Sequence, residues 1–318
     1  MAFNIFLMIV GFVVLVGGAD LLVRGASSIA KKMGISTLII GLTIVAFGTS
    51  LPELVVSVVA AMKGSSDIAV GNIVGSNIAN ILLILGITGM ISQLRVKEST
   101  IWKEIPFAIL AVMALIFVGF DTVLSNTSQN SITRGDGAVL ILFFLLFLYY
   151  IFQLAKSEPF TEDAGIKRYN TALSVGMIVV GLGGLVWGGD MFIDGAVEIA
   201  QSLGMSEALI GLTIVAVGTS MPELATSVVA ALRGQNDIAV GNIVGSNIFN
   251  IFWILGASAL INPLQINPVM LVDTLICLAI TVLLFGVMFV GRKNAIDRWQ
   301  GGVFFALYIG YVAYLVMR

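Results

Sequence analysis

Residues 40–80 of this chain recur at 210–250. The offset is a constant 170, and 32 of the 41 positions are identical. GLTIVAFGTSLPEL becomes GLTIVAVGTSMPEL, and DIAVGNIVGSNIANI becomes DIAVGNIVGSNIFNI. The match reaches back to Asp20/Asp190 and Gly25/Gly195, and it fades after Leu94/Leu264. Any fold must therefore hold two copies of one unit. Each copy also sets a proline and a glutamate inside an apolar run. Proline removes a helical hydrogen bond, and a carboxylate in hydrocarbon is costly. Their duplication calls for a physical reason.

The setting is a membrane. The chain is 58% hydrophobic and 11% charged, with mean hydropathy +1.07, whereas soluble domains average about 25% charged residues. A helical span needs about 20 mostly apolar residues. Ten segments qualify: 3–23, 35–62, 67–90, 101–120, 136–155, 171–193, 205–232, 237–260, 268–290 and 299–317. MAFNIF lacks the basic start of a signal peptide, so the first is read as a retained span. The most polar connection, KSEPFTEDAGIKRYN at 156–170, divides the chain into a first repeat, 1–155, and a second, 171–318. The expected fold is an all-α polytopic membrane protein of ten transmembrane helices in two five-helix repeats.

Basic residues assign the sides. The odd-numbered connections hold 13 of the 16 Lys and Arg residues. The other side holds Lys63, Arg134 and Arg318. Odd connections are thus expected in the cytoplasm and both termini outside it, in a cell (inner or plasma) membrane. Five spans per repeat is an odd number, so the second copy enters the membrane inverted. Charge agrees: Arg24, Lys31 and Lys32 correspond to Asp194, Gln201 and Ser202. Inverted repeats mark many secondary transporters, whose sites lie near the midplane between the copies.

Several chemistries are excluded. There is no histidine, so imidazole relays, imidazole metal ligands and a Ser-His-Asp triad are absent. Cys277 is the single cysteine, which rules out an intrachain disulfide. The net charge of −2 argues against nucleic acid as a partner. No nucleophile–base pair is visible and no cofactor is implied, so an enzyme is not expected. No protein partner is evident; the expected partners are lipid and the transported ions.

The duplicated segments carry polar stripes. Thr49, Glu53 and Ser57 are spaced i, i+4, i+8 and share a helix face, as do Thr219, Glu223 and Ser227. The next spans repeat the spacing with Asn72, Ser76, Asn80 and with Asn242, Ser246, Asn250. Gly71/Gly75 and Gly241/Gly245 allow close helix approach. Pro52 and Pro222 leave the carbonyls of Gly48 and Gly218 without helical donors, and those glycines permit unwound backbone. Each motif offers carbonyls, a hydroxyl pair (Thr49–Ser50, Thr219–Ser220) and a carboxylate. Oxygen donors without sulfur or imidazole suit Na⁺, Ca²⁺ or Mg²⁺, and two carboxylates plus neutral oxygens can supply the roughly 6–8 oxygens of a Ca²⁺ shell. A cation neutralising both carboxylates, Ca²⁺ or Na⁺, gives a basis for antiport, since the site changes sides readily only when loaded.

GTSLPE and GTSMPE, each followed by GNIVGSN, resemble the paired α-repeats (41–80 and 211–250 here) of the sodium/calcium exchangers, within the cation/Ca²⁺ exchanger superfamily. The resemblance implies ten helices, with spans 2, 3, 7 and 8 forming an ion-binding core and spans 1 and 6 sliding across it. By motif position it implies Glu53 and Glu223 as Ca²⁺ carboxylates, with Thr49 and Thr219 beside them. It gives the carbonyls of Ala46 and Ala216 to Na⁺. Ser50, Ser220, Ser76 and Ser246 supply hydroxyls, and Asn80 completes the centre. Some relatives carry aspartate where this chain has Asn250, including those that also transport K⁺; the amide lowers the expectation of K⁺ dependence. The function implied is Na⁺/Ca²⁺ antiport by alternating access. The alternatives are a Ca²⁺/H⁺ antiporter, whose branch usually carries a glutamate in the second motif, and a passive channel. The polar groups form no continuous line, which counts against a channel.

Other polar residues read as structural. Ser57, Ser227 and Thr226 are expected to bond their own i−4 carbonyls, and Asp67 and Asp237 to cap helices. Asp20 and Asp190 are expected to find structural partners. Met, Phe and Trp residues supply lipid-facing and packing surface.

Overall fold

The computed structural model describes residues 2–120, 130–157, 166–202 and 216–317. The first part of the expected span 205–232 and the middle of the 156–170 linker lie outside the described residues. The helices are α1 (Ala2–Met33), α2 (Thr37–Thr49), α3 (Leu51–Met62), α4 (Ser66–Ile91), α5 (Thr100–Gly119), α6 (Arg134–Ser157), α7 (Thr171–Ser202), α8 (Met221–Leu232), α9 (Asn236–Ile261), α10 (Met270–Val287) and α11 (Arg298–Met317). Eight are individually long and apolar enough to cross a membrane, and α2 with α3 forms a ninth span bent by 47°. Only Ala216–Gly218 and α8 represent the remaining expected span among the described residues. The protein is an all-α polytopic membrane protein built from two repeats.

The bend at Ser50 follows from the sequence. Pro52 sits in the first turn of α3, where its missing N–H is harmless, while the preceding helix loses a donor. Pro222 starts α8 in the same way. Gly48 and Gly218 do not provide unwound backbone: neither has positive φ. A Cβ on Gly48 would lie 2.4 Å from Leu182 Cδ2, and one on Gly218 2.5 Å from Ile193 Cδ1. These glycines let α7 side chains approach the bend closely. Positive φ is needed instead at Gly64 (φ 73°) and Gly234 (φ 72°), which end α3 and α8.

α4 and α9 are the most enclosed spans. The first part of α2 crosses onto α9, so the repeats interlock. A Cβ on Gly241 would meet Leu38 O at 3.1 Å, and one on Gly245 would meet Leu42 O at 2.9 Å. α1 and α7 form an antiparallel pair on glycines at matching positions. A Cβ on Gly18 would lie 2.8 Å from Gly181 O, and one on Gly188 2.8 Å from Gly11 O. Backbone touches backbone along this seam, so the pair packs as one body. α5, α6, α10 and α11 surround the core, with large apolar side chains such as Leu142, Leu145, Phe152 and Val303 exposed where lipid would lie.

Contacts between connections keep to the two sides that the charges assign. Strand β1 (Leu94–Arg95) pairs antiparallel with β4 (Ala295–Ile296), joining connections three and nine. β2 (Asn130–Ile132) pairs with β3 (Leu264–Ile266), joining four and eight. These short strands were not expected. Lys97 pairs with Asp237 at 3.0 Å, and Arg233 pairs with Asp20, again between odd connections and their adjoining helix ends. Asn262 Nδ2 donates to Ala61 O at 2.8 Å on the even side.

Candidate cation-binding site

The two motifs meet in the core, and their partners cross between repeats. Glu53 and Glu223 are each 1% exposed. Ser50 of the first repeat donates to Glu223 Oε1 at 2.9 Å, and Ser220 of the second to Glu53 Oε1 at 3.4 Å. Within each copy, Ser76 lies 3.4 Å from Glu53 Oε1 and Ser246 3.4 Å from Glu223 Oε1. The bend explains the crossing: it ends one helix at Ser50 and starts the next with Glu53 in its first turn. Among the described residues no Lys or Arg pairs with either.

The other oxygen of each carboxylate, Glu53 Oε2 and Glu223 Oε2, is buried without a hydrogen-bond partner among the described residues. So are Asn80 Oδ1, Asn250 Oδ1 and Thr219 Oγ1. Buried polar atoms nearly always have partners. These five oxygens, two of them carboxylate, are of the kind that suits a hard cation.

The remaining expected residues are placed as follows. Ala46 O faces Thr49 Oγ1 at 3.3 Å and Ser246 Oγ at 3.5 Å. Ala216 opens the short helical turn at the mirror position. Thr49 Oγ1 lies 3.0 Å from Asn242 Oδ1, a contact that Thr219 lacks. Asn80 and Asn250 enter π-helical segments of α4 and α9, Asn80–Ile84 and Phe249–Leu255, a distortion frequent at functional sites.

The structure corrects several assignments. Ser57 and Ser227 do not bond their i−4 carbonyls. They lie 3.4 and 3.3 Å from the carbonyls of Ala69 and Ala239 on the next helix, and they accept from Asn72 and Asn242. Tight packing of α3 on α4 and of α8 on α9 puts these acceptors within reach. Thr226 Oγ1 has no partner among the described residues. Asp67 and Asp237 do not cap: the cap positions are Ser65 and Gln235. Asp237 instead accepts from Thr37 at 3.3 Å and pairs with Lys97. Asn72 and Asn242 also reach the backbone carbonyls of Glu53 and Glu223, at 3.3 and 3.4 Å, and so steady the acidic turns. Asn77 and Asn247, outside both stripes, emerge as buried links between repeats.

The surroundings are asymmetric. A groove of about 410 Å³, lined by Asp67, Asn72, Thr219, Asp273 and Tyr308 among others, reaches the core from the side of the even connections. At the opposite end the counterparts are engaged: Thr49 with Asn242, Asp237 with Lys97 and Thr37.

Inverted motifs and crossed carboxylate partners define a membrane carrier of cations. The sodium/calcium exchanger protein family model matches residues 3–153 and 173–317, and the chain belongs to that family. The sodium/calcium exchanger MaX1 of Methanosarcina acetivorans is 34% identical, covering 99% of this chain and 98% of that protein. The inner membrane protein YrbG of Escherichia coli is 38% identical, covering 82% and 81%. The solved structure of the sodium-calcium exchanger NCX_Mj soaked with 10 mM Na⁺ superposes with TM-score 0.82 at 33% identity over 98% of each chain. The protein is a cation/Ca²⁺ antiporter of this family.

Proposed function

We propose that the protein exchanges Na⁺ for Ca²⁺ by alternating access at one site between α2/α3, α4, α8 and α9. The observation that carries this is the pair of buried carboxylates, each held by the opposite repeat through one oxygen and, among the described residues, unpartnered at the other. Glu53 and Glu223 take the Ca²⁺ charge. Thr49, Thr219, Ser50, Ser220, Ser76, Ser246, Asn80, Asn250 and the carbonyls of Ala46 and Ala216 supply neutral oxygens to Ca²⁺ or Na⁺. The ions compete because they use the same oxygens.

Movement follows the repeats, 1–155 and 171–318, joined by the 156–170 linker. The α1–α7 pair shifts across the core, closing the groove on one side and opening its counterpart on the other. The odd connections face the cytoplasm of a cell inner or plasma membrane, and both termini lie outside.

The test is ⁴⁵Ca²⁺ uptake into proteoliposomes loaded with Na⁺, K⁺ or acid. Outward Na⁺ should drive uptake, and Glu53→Gln or Glu223→Gln should abolish it. Uptake driven by a proton gradient and indifferent to Na⁺ would transfer the protein to Ca²⁺/H⁺ exchange. Flux needing no counter-ion would make it a channel.

A further inference from the structure

Each GNIVGSN segment ends in an asparagine that the polar stripes leave out. Asn77 is 1% exposed and Asn247 4% exposed, both at the contact between α4 and α9. Asn77 Nδ2 donates to the backbone carbonyl of Asn247 at 3.1 Å. Asn247 Nδ2 reaches the backbone carbonyl of Asn77 at 3.5 Å. A backbone carbonyl only accepts, so these contacts decide which end of each amide is nitrogen. The side-chain oxygens then accept in turn. Asn250 Nδ2 donates to Asn77 Oδ1 and Asn80 Nδ2 to Asn247 Oδ1, each at 2.9 Å. The chain of donors ends at Asn80 Oδ1 and Asn250 Oδ1, buried amide oxygens with no partner among the described residues.

We infer that Asn77 and Asn247 are positioning residues of the cation site: anchored on each other's backbone, they hold the amide oxygens of Asn80 and Asn250 toward the ion. The inference rests on the exchange reading above. Without the clamp, either amide can turn over and present N–H to a cation. The clamp also constrains residue 250. An aspartate there has no hydrogen to give Asn77 Oδ1, so two oxygens would face each other at hydrogen-bond distance. Asn77 could turn over to relieve this only by losing its bond to Asn247 O. The clamp thus favours a neutral residue at 250 and leaves Glu53 and Glu223 as the charges of the site.

The test uses the full chain in proteoliposomes, with Na⁺-driven ⁴⁵Ca²⁺ uptake and equilibrium ⁴⁵Ca²⁺ binding measured together. Asn77→Ala and Asn247→Ala should each raise the half-saturating Ca²⁺ concentration about tenfold, the scale of one lost hydrogen bond to a site group, and change the maximal rate less. Asn77→Ser serves where the alanine variant does not fold. Asn250→Asp should be impaired alone and less so combined with Asn77→Ala, because the clash is gone. A pair with only a structural role would lower yield and melting temperature without moving half-saturation. That result, or effects that simply multiply, would overturn the inference. Failure of the exchange reading looks different: the parent would show no Na⁺-driven uptake, and equilibrium binding alone would then report whether the clamp shapes a Ca²⁺ site.

Discussion

Alternating access makes a specific demand on the ion pair between Asp20 and Arg233. Asp20 lies on α1, and Arg233 closes α8, the helix that carries Glu223. Asp20 also pairs with Arg24 at 2.8 Å. The pair ties the α1–α7 body to the core at the odd-connection end. At the repeat offset of 170, Asp20 maps to Asp190 and Arg233 to Lys63. The charge signs are kept, yet Lys63 and Asp190 are both exposed and form no ion pair with each other among the described residues. If the repeats exchange conformations, the first pair opens as the second forms. The side chains of Arg233 and Asp20 are 36% and 28% exposed, so solvent screens the pair. Its worth is then about 0.5–1 kcal/mol, or about two- to fivefold in the balance of the two states. Arg233→Gln should shift that balance toward the opposite state by this factor.

Paired cysteines read the shift, since Cys277 is buried and gives little background. Disulfide formation between Lys63→Cys and Asp190→Cys should rise two- to fivefold when Arg233→Gln is added. Bridging Asp20→Cys to Arg233→Cys should stop exchange, and reduction should restore it. If exchange runs at the parental rate with positions 20 and 233 bridged, α1 does not move against α8 and the sliding scheme is wrong.

Other outcomes follow from the same contacts. Gly18→Ala places a methyl group 2.8 Å from Gly181 O and Leu185 N; it should destabilise the protein by about 1–3 kcal/mol, read as a lower melting temperature in detergent. Gly176→Ala, with nothing within 4 Å among the described residues, should not. Ser50→Ala removes the 2.9 Å bond to Glu223. It should weaken Ca²⁺ half-saturation about tenfold or more, the scale of a hydrogen bond to a charged group. Ser57→Ala should lower thermal stability with little change in ion affinity, because Ser57 serves the α3–α4 contact.

Much of the fold was legible because its determinants are local. Apolar length marks spans, Lys and Arg sort the connections into two sets, and Pro52 marks a bend. Residue spacing put Thr49 with Glu53 and Thr219 with Glu223 on single helix faces, and it was the family resemblance that implied Ser76 and Ser246 beside the carboxylates. Spacing did not reveal that Ser50 serves Glu223, since that contact depends on how one repeat docks on the other. Asn77 was missed for a related reason. It stands one position, about 100°, around the helix from Ser76, and its role exists only once α9 lies against α4. Ser57 and Asp237 were misplaced because a local partner was assumed where packing brought a distant one.

The crossed contacts have an ancestral consequence. Ser50 reaches Glu223 as Ser220 reaches Glu53, and Asn77 meets Asn250 as Asn247 meets Asn80. Such reciprocity is the mark of an isologous interface, the kind that joins identical subunits about a two-fold axis. Two identical chains docked about a two-fold axis would make every one of these contacts. The single chain preserves the geometry of an antiparallel homodimer. Within one chain each half can change independently, and the nine differences among the 41 paired positions are where the two copies have diverged.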